Sequence, residues 1–193
     1  MDLSICGFCD IMYLVVKMSE NLSKRKEIRL KNYDYSEPGT YFITICTKNK
    51  EKLLWNGELD TQNFDWKLVG ARFARPQNLP LSKIGIAVEQ NLNKWNDTYE
   101  NVYLSSYVIM PNHLHIMVVI LPEEDGGRAK HAPTVSTMIS QFKGAVTKQI
   151  GENIWQKLFY DHVIRNKRDF EEISNYIYEN PLKWQFDELY CEE

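Results

Sequence analysis

Two apolar runs of β type, Val102 to Met110 and His113 to Leu121, are separated only by Pro111-Asn112. Proline denies the ladder a donor and the Pro-Asn pair marks a tight connection, so the two runs read as paired neighbouring strands. The other patterned segments fall around this pair. Thr40 to Thr47 (TYFITICT) alternates, is rich in β-branched and aromatic residues, and follows the turn signal Glu37-Pro-Gly39, which predicts a strand. Leu81 to Trp95 sets Ile84, Val88, Leu92 and Trp95 at helical spacing, with Asn96-Asp97 as a stop.

Thr134 to Ile150 carries Val135, Met138, Ile139, Phe142, Val146 and Ile150 on one face, an amphipathic helix with Ser/Thr available as caps. Ile154 to Ile164 is strand-like, and Arg168 to Asn180 is a last helix closed by Pro181. The order β, α, β, β, α, β, α contains a βαββαβ core. That predicts an α+β fold of ferredoxin-like type, an antiparallel sheet with helices on one face and a further C-terminal helix, leaving the other sheet face open for a ligand or partner.

With 193 residues, 44% of them hydrophobic, the chain has material for one core and too little length for two ordinary domains. Residues 18–193 are expected to form that single domain, with residues 1–17 as an extension outside it. The extension holds Cys6-Gly-Phe-Cys9, spaced as a redox pair or half of a zinc site, but no second such pair follows. Four cysteines and no basic leader with a cleavage site predict a reducing, cytoplasmic setting. The apolar run Ile11 to Val16 is far shorter than the roughly 20 residues that span a bilayer, so no membrane role is expected. Between Glu51 and Pro80 the pattern breaks down into an inserted loop or small hairpin. Its Arg72, Phe73 and Arg75 mix bases with an aromatic ring, a combination that can neutralise and stack on single-stranded nucleic acid.

The formal net charge of -3 conceals opposite regions. From Arg128 to Arg168 eight Lys/Arg stand against only Glu152 and Asp161, whereas from Asp169 onward Lys183 faces eight acids. A second basic cluster joins Lys24, Arg25, Lys26, Arg29 and Lys31. Charge runs of this kind are often just solvated faces, so chemistry has to be sought beside them.

His113-Leu-His115 supplies it. In a strand both imidazoles leave the same face, with alpha carbons about 6.6 Å apart, a separation that two ligands of one metal can bridge. Leu114 and Ile116 point the other way, into the helices. On the last helix Phe170, Ile173 and Ile177 form the apolar stripe, and Tyr176 and Asn180, at i and i+4, share one edge of it. Tyr178 is rotated to the far side. Taken alone, Tyr176 also fits a boundary residue packing its ring on the sheet, and Asn180, next to Pro181, sits in an expected frayed last turn.

Together, YVIMPNHLHIMVVI, TVSTMISQFKGAVTKQI and IWQKLFYDHVIRNKRDFEEISNYIYENPLKW resemble the single-tyrosine HUH transposases of the insertion-sequence type, and especially their REP-associated tyrosine transposase relatives. The resemblance runs from about Tyr33 to Trp184, and YFITICTKNK is similar to the family's first strand. It implies that His113 and His115 hold a divalent cation, Mg²⁺ or Mn²⁺, that Asn180 matches the polar third ligand, and that Tyr176 is the nucleophile. Imidazole prefers softer ions than these, so water and the scissile phosphate would have to supply oxygens. The implied reaction is cleavage and strand transfer of single-stranded DNA with hairpin or palindromic ends through a 5′-phosphotyrosine, by a monomer or homodimer. A phenol of pKa about 10 needs help, for which the cation and Lys143, Lys157 and Arg165 are the candidates. No phosphate-binding glycine loop is present, and exchange of one phosphodiester for another needs no ATP.

Other readings stay open on the residues. A histidine-triad nucleotide hydrolase begins like HLHIMVV, but Met117 stands where its third histidine would be. A ferredoxin-like module can bind nucleic acid on its open sheet without catalysis. A structural zinc site from Cys6, Cys9, His113 and His115 requires the extension to fold back.

Overall fold

Alternating apolar runs joined by helices give, in the computed structural model, a single antiparallel sheet. The structure describes residues 37–60, 79–122 and 134–191, all within the unit Asp34–Glu193. Among these residues the strands are β1 (Gly39–Cys46), β2 (Val102–Ile109), β3 (His113–Ile120) and β4 (Tyr160–Ile164), in the order β2-β3-β1-β4 with every pairing antiparallel. Helix α1 (Lys83–Asn93) and the short α2 (Trp95–Thr98) connect β1 to β2, and α3 (Val135–Ile150) connects β3 to β4. The fold is α+β with the expected βαββαβ connectivity. Helix α4 (Lys167–Glu179) follows and runs directly into a 3-10 segment, Asn180–Phe186.

Register fixes what each sheet face carries, because directly opposed residues share a face. Ile43 lies opposite Ile116, Tyr41 opposite Val118 and Ile45 opposite Leu114, and all six are fully buried. This is the core face. It lies toward α1, as the Tyr107 hydroxyl donating to Asn93 Oδ1 at 3.0 Å shows. The core continues through Val88 and Leu92 of α1 and through Val135, Met138, Ile139, Phe142 and Val146 of α3. Trp95 and Trp155 flank the Phe142 ring at 5.7 and 5.8 Å between centroids.

The opposite face carries Cys46 opposite His113, Thr44 opposite His115, and Tyr160 and His162 on β4. This face is not left open as the sequence pattern suggested. Helix α4 packs on β2 and β3, over the half that holds the histidines. The expected strand from Ile154 is also shorter. Trp155 bridges Thr47 and Gln156 N donates to Cys46 O at 3.0 Å, but the Gln156 and Leu158 carbonyls accept from the Lys143 ammonium at 2.8 and 3.1 Å, so the regular strand begins only at Tyr160.

Of the predicted insertion, its first residues are tied to the body. Trp55 Nε1 donates to Ile109 O at 2.6 Å, and Leu54 N donates to Pro111 O at 2.9 Å. Residues 61–78, including Arg72, Phe73 and Arg75, lie outside the described residues, as do the extension with Cys6 and Cys9 and the cluster from Lys24 to Lys31. No helix among the described residues is long and apolar enough to cross a membrane.

Candidate active site

Strand β3 delivers the two imidazoles side by side, His113 fully buried and His115 3% exposed, with Nε2 atoms 3.0 Å apart. Each ring is fixed through its other nitrogen. His113 Nδ1 lies 2.8 Å from Asn112 Oδ1, and His115 Nδ1 lies 2.9 Å from the Thr44 hydroxyl. An amide oxygen can only accept, so His113 carries its proton on Nδ1 and turns a bare Nε2 lone pair to the site. Asn112, read from sequence as a connection, is therefore the orienter of His113. Its Nδ2 also donates to Lys50 O at 3.2 Å and Leu189 O at 2.8 Å, tying the carboxyl-terminal segment to the same corner.

Protonation is a poor way to bring two such nitrogens together. Burial, then the charge of His115 and of Lys50, holds His113 well below the usual histidine range. Burial likewise lowers His115 to about 4, with Asp187 acting in the opposite direction. Without a metal, His115 can carry its proton on Nε2 and donate it to His113 Nε2, with the Thr44 hydroxyl donating to His115 Nδ1; a cation bound between the rings would displace that proton.

Helix α4 brings the phenol. Tyr176 Oη lies 3.1 Å from His115 Nε2 and donates to Asp187 Oδ2 at 3.2 Å. Its ring centroid stands 5.0 Å from that of His115, and Phe42 completes the cluster, stacked on His115 at 5.2 Å and edge-on to Tyr176 at 6.1 Å. Tyr178 projects about 200° further round the helix. Burial first, then the charge and hydrogen bond of Asp187, raise the Tyr176 phenol well above its ordinary value, while a hydrogen bond with Asn180 works against them.

Asn180 is 3% exposed rather than frayed, because the chain continues past it into the 3-10 segment instead of ending at Pro181. Its Nδ2 donates to Asp187 Oδ2 at 2.9 Å. Its Oδ1 is buried with no hydrogen-bond partner among the described residues, an arrangement that usually costs stability unless a cation or water uses the oxygen.

Asp187 is the residue the sequence reading missed. Its carboxylate lies 4.0 Å from His113 Nε2, and the ligand atoms of His113, His115 and Asp187 lie within 4.8 Å of one another. Two imidazoles with a carboxylate and an amide oxygen answer the mismatch seen in sequence, since the oxygens are what hard divalent ions favour. The residues present therefore fit a divalent cation. No spacing rule pointed to Asp187, which is one of eight acids in the acidic tail and reaches the site only through the 3-10 turn.

The predicted cations divide. Lys157 and Arg165 are exposed at the two ends of the β4 segment. Lys143 is instead half-buried on the two carbonyls described above, and burial brings its ammonium down to about 8. Two of its three donors are held by those carbonyls, leaving one for another acceptor.

No protein-family model matches the chain. An uncharacterized protein of Haemophilus influenzae is 31% identical over 197 residues, which cover 93% of this chain and all of that protein. A second H. influenzae protein, named "Putative REP-associated tyrosine transposase", is 30% identical over 170 residues, 83% of this chain and 81% of the relative. Among solved structures, a REP-associated tyrosine transposase bound to a REP hairpin is similar at 25% identity and a TM-score of 0.47, covering 82% of this chain and 76% of that one. The second relative, matched over most of both lengths, carries the assignment: the chain belongs to the REP-associated tyrosine transposase family.

Proposed function

We propose that the chain cuts and rejoins single-stranded DNA through a covalent 5′-phosphotyrosine on Tyr176. One observation supports this above the others: the Tyr176 hydroxyl sits 3.1 Å from His115 Nε2, against a cluster of two imidazoles and Asp187. A divalent cation, Mg²⁺ or Mn²⁺, held by His113, His115 and the oxygens of Asp187 and Asn180, would polarise the scissile phosphate and offset its developing charge.

The chain's own groups do the rest. Asp187 Oδ2 already accepts the phenol hydrogen bond, so it is the acceptor for the proton as Tyr176 Oη attacks phosphorus. The bond from Oη to phosphorus forms while the bond from phosphorus to O3′ breaks, and the departing oxygen takes the proton that Asp187 received from the phenol to become a 3′-OH. A later 3′-OH reverses the exchange and releases the tyrosine, so the bond energy is conserved and no ATP is needed. Phe42 holds the Tyr176 ring against His115 from the side. Lys157 and Arg165 are assigned to backbone phosphates, and so are Arg72 and Arg75. The substrate is single-stranded DNA with hairpin or palindromic ends, handled by a monomer or homodimer in the cytoplasm, with residues 1–17 outside the catalytic domain.

The test is an adduct assay. Full-length protein with Mn²⁺ or Mg²⁺ and labelled hairpin oligonucleotides carrying single-stranded flanks should yield a denaturation-resistant protein-DNA species. Tyr176→Phe should abolish it and Tyr178→Phe should retain it. An adduct that persists in Tyr176→Phe but disappears in Tyr178→Phe would move the nucleophile, and binding without cleavage in either metal would favour a plain nucleic-acid module.

A further inference from the structure

Helix α4 covers only part of the functional sheet face. Among the described residues its main contacts with the sheet are to β2 and β3. Register places Tyr160 opposite Thr44 and His162 opposite Phe42, so both β4 side chains share a face with the buried imidazoles. Tyr160 is 51% exposed and His162 is also exposed. His115, Thr44 and Tyr160 stand on one rung of the ladder, which sets Tyr160 about 10 Å from His115 at the usual strand spacing. Between them Phe42 is half-buried, stacked on His115 and edge-on to Tyr176. Rings on the same face therefore extend from the nucleophile through Phe42 toward Tyr160 and His162 at the β4 edge.

An exposed phenol and imidazole at the edge of a sheet face are what a stacking platform needs, since every base has a π-face and rings at a sheet surface receive it. The charges agree. Exposed Lys157 precedes the strip and exposed Arg165 follows it, so cations bracket the rings along the strand. The acid nearest His162 on the following helix, Asp169, is occupied as a capping partner of Asn166. Duplex DNA hides its base faces in the stack, so such a strip selects unpaired nucleotides.

We propose that Phe42, Tyr160 and His162 form a stacking subsite for the unpaired nucleotide beside the scissile phosphate, with Lys157 and Arg165 holding the phosphates on either side. This rests on the strand-transfer reading above, because it is the phosphate at Tyr176 that gives the strip its occupant.

The experiment measures binding and cleavage separately with the full-length protein, Mn²⁺, and a hairpin oligonucleotide with a single-stranded flank. An abasic site is walked along the flank, one position at a time. At one position next to the cleavage point the wild type should lose affinity by about tenfold, the range expected for one stacked base. Tyr160→Ala and His162→Ala should each bind the intact flank several-fold more weakly, and Tyr160→Phe should bind like wild type. All should bind a hairpin lacking the flank equally well. Tyr160→Ala should show no further loss when the sensitive base is removed, because ring and base are partners.

If no abasic position matters, or if the two losses simply add, the subsite is wrong while adduct formation by wild type leaves the parent reading intact. If wild type forms no adduct and does not bind single-stranded DNA, the parent reading fails first. The abasic series uses unaltered protein, so it decides the matter even if a variant folds poorly.

Discussion

The His113 and His115 Nε2 atoms, 3.0 Å apart in a buried site, share one proton in the metal-free protein, and a cation bound by both rings would displace it. A second proton is opposed by burial, and the Asn180 Oδ1 beside them is buried with no hydrogen-bond partner among the described residues. Asp187 joins the two, hydrogen-bonded to Asn180 and Tyr176 and 4.0 Å from His113. Replacing Asp187 or Asn180 by alanine should each weaken Mn²⁺ binding about 10- to 100-fold, as loss of metal ligands and their supports does. Calorimetric titration of metal-free protein checks this, and unchanged affinity in both variants would remove the carboxyl-terminal residues from the metal set. The legible part of this cluster is the part set by a period within one element. His113 and His115 are two apart on a strand, and Tyr176 and Asn180 four apart on a helix, so geometry on the page of the sequence suffices. Asp187 depends on a turn after Pro181, which by sequence reads as a stop, and Asn112 depends on which nitrogen of His113 it touches.

At the scale of elements, the site depends on how β1, β3 and α4 are seated. The strand and helix order was readable because each run keeps its own period. What was not readable was substitution of one partner for another, as where Lys143 takes over carbonyls that a longer β4 would have paired. The seating of α1 turns on Gly85 in its first turn, where Ser82 caps the helix. A Cβ built on Gly85 would lie 2.1 Å from the Leu54 carbonyl oxygen. That carbonyl already accepts from Ser82 N, and Leu54 N is bonded to Pro111 O beside the β2–β3 turn, so the backbone has little room to shift. Gly85→Ala should therefore destabilise by about 2 kcal/mol or more through overpacking. Thermal unfolding should show Tm lowered by about 5 °C or more, and a wild-type Tm would mean that α1 slides freely.

At the scale of the whole molecule, the described residues form one sheet with a core face and a chemical face, and on the second α4 lies over β2 and β3 while Tyr160 and His162 of β4 are exposed. Burying two neutral histidines makes stability depend on pH. In the unfolded chain they titrate near 6.5, whereas in the fold His115 is lowered to about 4 and His113 also lies well below 6.5. As pH falls below about 6.5 the unfolded state takes up protons that the folded state refuses, so folding stability is present above that range and is lost on the way down to about 4. Metal-free protein should have a lower denaturant midpoint at pH 5 than at pH 7.5. Equal midpoints would show that the imidazoles are hydrated in the fold. The most direct test of the account concerns the atom that carries the DNA. After reaction with a hairpin oligonucleotide, nuclease and trypsin digestion should leave the peptide Asp169–Lys183 bearing a nucleotide, and fragmentation should place it on the Tyr176 oxygen through a 5′-phosphate. A nucleotide on Tyr178 or on any other residue, or one linked through its 3′-phosphate, would contradict the account.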